Sequence, residues 1–282
     1  MSGVLVMVGV GGYVWRQEHR PSFLEVYVFS MKQGSAMLVR TPGDRRIVIN
    51  GGSNSEIIRH VSQVLPFYSR RIDIVIATDT HKKNVGGLVE LVGRYDIGQI
   101  VVPGITLERL DLATSSDAAY TELLQNARRR QIPIREVMAG ESVIWDEDSP
   151  GDVVRANIVF PALPEGFVYS KASPPSIALD FVYDSTHIWL AGDSTPKIQR
   201  YIIDNYPVAR NTDVLVVSHS ASVDHFNKDF MDMLDPEYLV YSQSVSRSGS
   251  NTVVPYERRF NAKEKTIRIL SDGSSVHIER ED

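Results

Sequence analysis

The sequence contains no cysteine, so disulfides, thiolate metal sites and cysteine nucleophiles are excluded together. The chain is therefore indifferent to the redox state of its compartment. Positive charge is not in excess either: 30 Lys and Arg stand against 35 Asp and Glu, a net charge of −5. A global attraction to nucleic acid is thereby removed, and any such contact must be local. No G-x-S-x-G elbow, no Walker loop and no G-x-G-x-x-G after a strand occurs, which leaves nucleophile-elbow hydrolases, P-loop NTPases and Rossmann enzymes without support. The apolar run at residues 3–15 (GVLVMVGVGGYVW) stops at Arg16, short of the about 20 residues of a membrane span.

That run admits several readings. It could be the trailing part of a transmembrane helix that starts upstream, with Tyr13 and Trp15 as interfacial anchors, or an apolar arm, or a core strand. A signal peptide would lack its basic leader and a clear small-residue cleavage site. The expected organisation is a possible membrane-anchor remnant at residues 1–20, followed by one domain at residues 21–282. The expected localisation is membrane-associated.

With 43% hydrophobic and 23% charged residues the chain has globular composition. After Pro21, short alternating or apolar runs predict strands at residues 24–29, 36–39 and 46–50, the last two joined by a tight turn at Thr41-Pro42-Gly43-Asp44. Apolar residues at helical spacing predict a helix over 56–65, followed by a buried strand at 72–77, a helix at 88–95, a strand at 99–102 and a helix at 115–130. Arg128, Arg129 and Arg130 read as a solvated helix C-terminus, favourable to the helix dipole. Strands at 153–160, 177–182, 187–191, 214–217, 238–241, 266–270 and 275–278, with helices from 195 and at 228–234, repeat the theme. Strands first, then strands mixed with helices, in each half, is the order of two face-to-face sheets with helices outside. The expected fold class is α/β, a four-layer αββα sandwich.

The chemistry-bearing segments are ordered along the chain. They are Ser30-Met31-Lys32-Gln33-Gly34-Ser35-Ala36, Ile49-Asn50-Gly51-Gly52, Thr78-Asp79-Thr80-His81-Lys82-Lys83-Asn84-Val85-Gly86-Gly87, Trp189-Leu190-Ala191-Gly192-Asp193, and Val217-Ser218-His219-Ser220-Ala221-Ser222. From Leu24 onward this series resembles the metallo-β-lactamase-fold domain of ComEC-type competence proteins, which act in DNA internalisation. That family carries D-V-G-Q-G-D-A, I-D-G-G, S-H-x-H-x-D-H-x-G-G, L-L-T-G-D, V-P-H-H-G-S and a final G-H-P-H-P. The resemblance implies a metallo-β-lactamase-like sandwich with a two-metal pocket at the sheet edge, nucleic acid or a membrane DNA-uptake component as partner, and a domain outside the cytoplasm. Arg16 and Arg20 argue for the opposite side under the positive-inside rule.

The same alignment implies that the metal chemistry is largely lost. Ser30, Ser35, Asn50 and Lys83 stand where the family has aspartates, Asp79 and Asn84 where it has histidines, and no histidine falls between Ser248 and Thr252. The residual candidate metal ligands are Asp79, His81, Asp193 and His219, with His225 ranked below them. An ammonium has no lone pair to donate and repels a divalent cation, so Lys83 opposes the second metal. No cofactor is expected, and the functional expectation is a non-catalytic binding or structural module. The alternative is an active metal-dependent hydrolase, a phosphodiesterase acting on nucleic acid through one zinc or manganese ion; a β-lactamase proper would need the same lost ligands.

Overall fold

The structure, a computed structural model, describes residues 23–105, 118–145, 153–163, 169, 175–206, 212–217, 227–242 and 254–281. Apolar residues that alternate along each strand dictate the layering. In β1 (Leu24–Val28) the side chains of Leu24, Val26 and Val28 enter one core, while Tyr27 and the following Phe29 enter another on the opposite face. The same division runs through β2 (Met37–Arg40), β3 (Arg46–Ile49), β4 (Arg71–Ile76), β5 (Asp96–Pro103) and β6 (Ile134–Val137). These strands are covered on both faces, and β3 and β4 read as near-continuous apolar runs for that reason.

Two strands from the end of the chain, β14 (Thr266–Ser271) and β15 (Val276–Glu281), complete an eight-stranded sheet of order β15-β14-β1-β2-β3-β4-β5-β6. Pairing is antiparallel from β15 to β3 and parallel from β3 to β6. The second sheet joins β7 (Ser142–Trp145), β8 (Val154–Phe160), β9 (Ala178–Tyr183), β10 (Thr186–Leu190), β11 (Val214–Val217), β12 (Tyr238–Tyr241) and β13 (Arg259–Asn261), with β7 and β13 at its edges. It too is antiparallel for its first strands and parallel from β10 onward.

Three helices, α1 (Glu56–Val64), α2 (Lys82–Arg94) and α3 (Ala118–Arg129), cover the first sheet. Their buried faces repeat at three and four residues, as in Val85, Leu88, Leu91 and Val92 of α2. The second sheet is covered by α4 (Pro196–Asn205), which buries Ile198 and Ile202, and by α5 (Lys228–Leu234), capped by Asn227 accepting from the Asp229 amide at 2.9 Å. The result is the four-layer αββα sandwich, with one core between the sheets and one under each helical layer. Each fully buried Leu, Ile or Phe side chain contributes roughly 1.5–3 kcal/mol.

Local differences from the sequence pattern have physical causes. Helix α2 starts at Lys82 rather than at residue 88. Its first turns carry polar residues and glycines and so lack apolar periodicity; there the His81 carbonyl accepts from the Asn84 and Val85 amides. Strands β6, β7 and β13, of three or four residues each, carry too few residues to show alternation. The apolar run at residues 3–15, the Ser218 to Ser222 segment with His219, His225 and the Ser248 to Thr252 region lie outside the described residues.

Candidate functional site

Because β3, β4 and β10 end on the same side, the segments that follow them meet at one edge of the sandwich. Open α/β sheets form their sites outside such carboxyl ends. Asn50 follows β3, Thr78 to His81 follow β4, and Gly192 and Asp193 follow β10. The Thr78 carbonyl accepts from the Ile177 amide at 2.7 Å, tying the start of β9 to the motif across the two sheets.

The loop at Ser30 to Ala36 is drawn onto this edge by a close backbone approach. Gly34 has φ +81°, and a Cβ there would lie 1.5 Å from the Lys83 carbonyl oxygen, so a side chain is excluded on two counts. Gly87 meets the backbone after β3 in the same way, with a Cβ falling 2.0 Å from the Gly51 oxygen. The glycines shared with the resembled motifs are therefore packing requirements of the edge.

Polar side chains fill the floor. Ser35, Asn50, Thr78, Asp79 and Asn84 are each at most 4% exposed. The Asn50 amide nitrogen donates to Ser35 Oγ at 3.1 Å and to Thr78 Oγ1 at 2.9 Å, while Asn50 Oδ1 accepts from the Thr78 amide at 3.0 Å. Asn84 Oδ1 accepts from the Ser35 amide and hydroxyl, both at 3.2 Å, and its nitrogen donates to Asp79 Oδ2 at 2.5 Å. Asp79 Oδ1 accepts from the His81 amide at 2.9 Å. Four positions where the resembled family has charged or metal-binding groups, Ser35, Asn50, Asp79 and Asn84, are thus linked by hydrogen bonds. Buried amides and hydroxyls are tolerated because they are satisfied. Asn50 also holds a left-handed backbone at φ +59°, which asparagine adopts more readily than most residues.

The rim is charged. Lys83 Nζ lies 3.7 Å from Asp193 Oδ2, with both side chains a little over one-quarter exposed. Such a pair contributes at most about 1 kcal/mol to stability. Its weight lies in charge placement, since the ammonium offsets the charge of a carboxylate that the resemblance makes a candidate metal ligand. His81 Nδ1 faces Asp79 Oδ1 at 3.7 Å and has no hydrogen-bond partner among the described residues. The attraction of Asp79 raises the His81 imidazole above its ordinary pKa, against burial and the nearby Lys83. Ser30 is turned away from the floor and donates to the Lys263 carbonyl at 2.7 Å.

Of the four candidate ligands, the structure brings Asp79 and His81 together and sets Asp193 against Lys83; His219 is outside the described residues. Among the described residues no three His, Asp or Glu side chains are grouped so that they could hold a metal ion. Asp79 is already bonded to Asn84 and the His81 amide, and a cation stands beside Asp193. Among the described residues this donor set does not fit a dinuclear centre. The mutual bonding of Ser35, Asn50, Thr78 and Asn84, and the Lys83–Asp193 pair, were not foreseen from the sequence; the signal available was that aspartates had become Ser35 and Asn50, a histidine Asn84, and a further aspartate the cation Lys83.

No family model matches this sequence, and no curated protein matches it. Solved structures do. The chain is similar to the metallo-β-lactamase fold protein YhfI from Bacillus subtilis, with 11% identity, 84% of this chain and 95% of that one covered, and a TM-score of 0.48. It is similar to CmlA, a diiron β-hydroxylase from Streptomyces venezuelae, with 14% identity, 83% of this chain and 48% of that one covered, and a TM-score of 0.47. It is also similar to the Rm3 metallo-β-lactamase, with 16% identity, 70% and 76% covered, and a TM-score of 0.43. These likenesses concern architecture, and no activity is drawn from them.

Proposed function

We propose that this chain is a ComEC-like protein of metallo-β-lactamase fold that serves as a non-catalytic binding or structural module related to DNA uptake. In this reading residues 3–15 attach it to a membrane and its domain lies outside the cytoplasm. Among the described residues no helix is long and apolar enough to cross a membrane. The ordered series of motifs supports the family, and one observation carries the non-catalytic reading: the Lys83 ammonium, 3.7 Å from Asp193, stands where a second divalent cation would need a carboxylate. Around it Ser35 and Asn50 stand in place of aspartates and Asn84 in place of a histidine, and they bond to one another and to Asp79. A site that makes hydroxide at neutral pH must bring metal-bound water to a pKa near 7, and this set has too little negative charge to hold the ion that does so.

The test is elemental analysis of the purified full-length protein, with a nucleic-acid cleavage assay in the presence of zinc or manganese. The expected result is less than stoichiometric metal and no cleavage above a metal-free control. Substitution of Lys83→Asp, Asn84→His and Asp79→His together is expected to raise metal affinity. One or two ions per chain in the unaltered protein, with cleavage lost on His81→Ala or Asp193→Ala, would overturn this reading and install the single-metal phosphodiesterase.

A further inference from the structure

At the opposite end of the first sheet the chain concentrates positive charge. Arg45 and Arg46 enter β3, Arg70 and Arg71 enter β4, Arg94 closes α2, and Arg128 to Arg130 close α3. Contacts join these into one surface. Arg46 donates to the Ser69 hydroxyl, the Asp96 amide donates to the Arg70 carbonyl at 2.8 Å, and Arg130 donates to the Gly93 carbonyl at 3.3 Å. Asp44, Asp73, Asp96 and Glu90 pair with members of the group, leaving arginine in excess. In a chain of net charge −5 this is a segregated patch.

Beside it the turn between α1 and β4 projects two aromatic rings. Phe67 is 93% and Tyr68 60% exposed, their rings edge to face with centroids 5.4 Å apart. The described chain enters at this end too, through Phe23, which is 43% exposed just before β1, and the apolar run at residues 3–15 precedes it in sequence. An aromatic tip among arginines is the composition of a surface that seats in lipid headgroups, the rings at the acyl boundary and the guanidiniums on phosphates. Single-stranded nucleic acid uses the same residue types, but along a groove that tracks the backbone. A ring 93% exposed forms a protrusion instead. The turn between β14 and β15, with Asp272, and the turn between β9 and β10, with Asp184, bound the patch on the side of the second sheet.

We infer that this end of the domain, the Phe67–Tyr68 turn with the surrounding arginines, docks on an anionic lipid surface. The inference rests on the membrane attachment proposed above only for the tether, and it is independent of the metal-free reading. The candidate site then faces away from the bilayer, by about the 20 Å that a six-residue strand such as β4 spans.

The test is co-sedimentation of the full-length protein with vesicles of phosphatidylcholine alone and of phosphatidylcholine with about one-third phosphatidylserine. A tether acting alone binds both alike. The expected result is a preference for the anionic vesicles that collapses as salt shortens the Debye length below about 10 Å. Combining Arg70→Gln, Arg128→Gln, Arg129→Gln and Arg130→Gln should weaken that binding by roughly five-fold per arginine. The pair Phe67→Ser and Tyr68→Ser should weaken it about ten-fold, with unfolding curves confirming that both variants remain folded. Equal binding to both vesicles, or an anionic preference untouched by both variants, would overturn the inference. So would binding of a labelled single-stranded oligonucleotide that both variants abolish in a protein with no vesicle preference.

Discussion

The two ends of the first sheet have handled charge in opposite ways. After β3 and β4, Ser35, Asn50, Thr78 and Asn84 are almost fully buried, neutral and bonded to one another, and the buried carboxylate beside them, Asp79, is held by the Asn84 amide and the His81 backbone amide. Before the same strands, arginines gather in solvent around an exposed aromatic turn. Burial explains the difference. A carboxylate without a compensating cation is costly inside a protein, whereas an exposed guanidinium costs little and is available to a partner.

The sharpest way to break this comparison is Asn50→Asp, which returns the family's residue to a fully buried position. The change removes both amide donations, to Ser35 and Thr78, and leaves a carboxylate without a cation. It should lower stability by about 3–5 kcal/mol, read as a shift of the urea midpoint. Full recovery on adding zinc or manganese would mean that the floor still accepts a metal, and the contrast between the two ends would fail.

A smaller effect is expected where the second sheet keeps a buried carboxylate with an imidazole beside it. Asp180 is 4% exposed and Oδ2 lies 3.0 Å from His187 Nδ1. Asp180 raises the His187 pKa against the effect of burial, while burial raises that of Asp180. A raised histidine pKa contributes stability that is fully present below the unfolded value of about 6.5 and is lost as pH rises through the folded value. Asp180→Asn should therefore lower the His187 midpoint in an NMR titration and cost about 1–2 kcal/mol near pH 6, less at higher pH. An unmoved midpoint would show that the carboxylate is not what raises the imidazole's pKa.

The smallest effect belongs to the arginine-rich end: Phe67→Ser should change unfolding free energy by no more than about 0.5 kcal/mol. A larger loss would mean that the ring is packed against residues outside the described set and is not offered to a partner.

Architecture was legible wherever apolar residues recur at a fixed period. The runs at 24–29, 56–65 and 72–77 became β1, α1 and β4 nearly residue for residue, and the turn at Thr41 to Asp44 closes as expected, with the Asp44 amide donating to the Thr41 carbonyl at 2.9 Å. The first turns of α2 were not legible. Their helicity is imposed by His81 and by the backbone packed against Gly87, contacts that no periodicity encodes. The location of the site followed from motif order, but its internal bonding did not. Asn50 and Asn84 each read as a lost ligand on its own, and only the fold shows that Ser35 bridges them. The arginine end was scattered over four sequence segments and was visible only as separate solvated residues.

The pairing of β1 with β14 has a consequence for the order in which the protein takes shape. Leu24, among the earliest described residues, lies opposite Ser271, close to the last. Throughout synthesis β1 has β2 on one side and an unfilled edge on the other, and bare strand edges invite association with other chains. The sheet that supplies most of the candidate site therefore closes only after β14 and β15 have left the ribosome, which makes that late hairpin the keystone of strands laid down about 240 residues earlier.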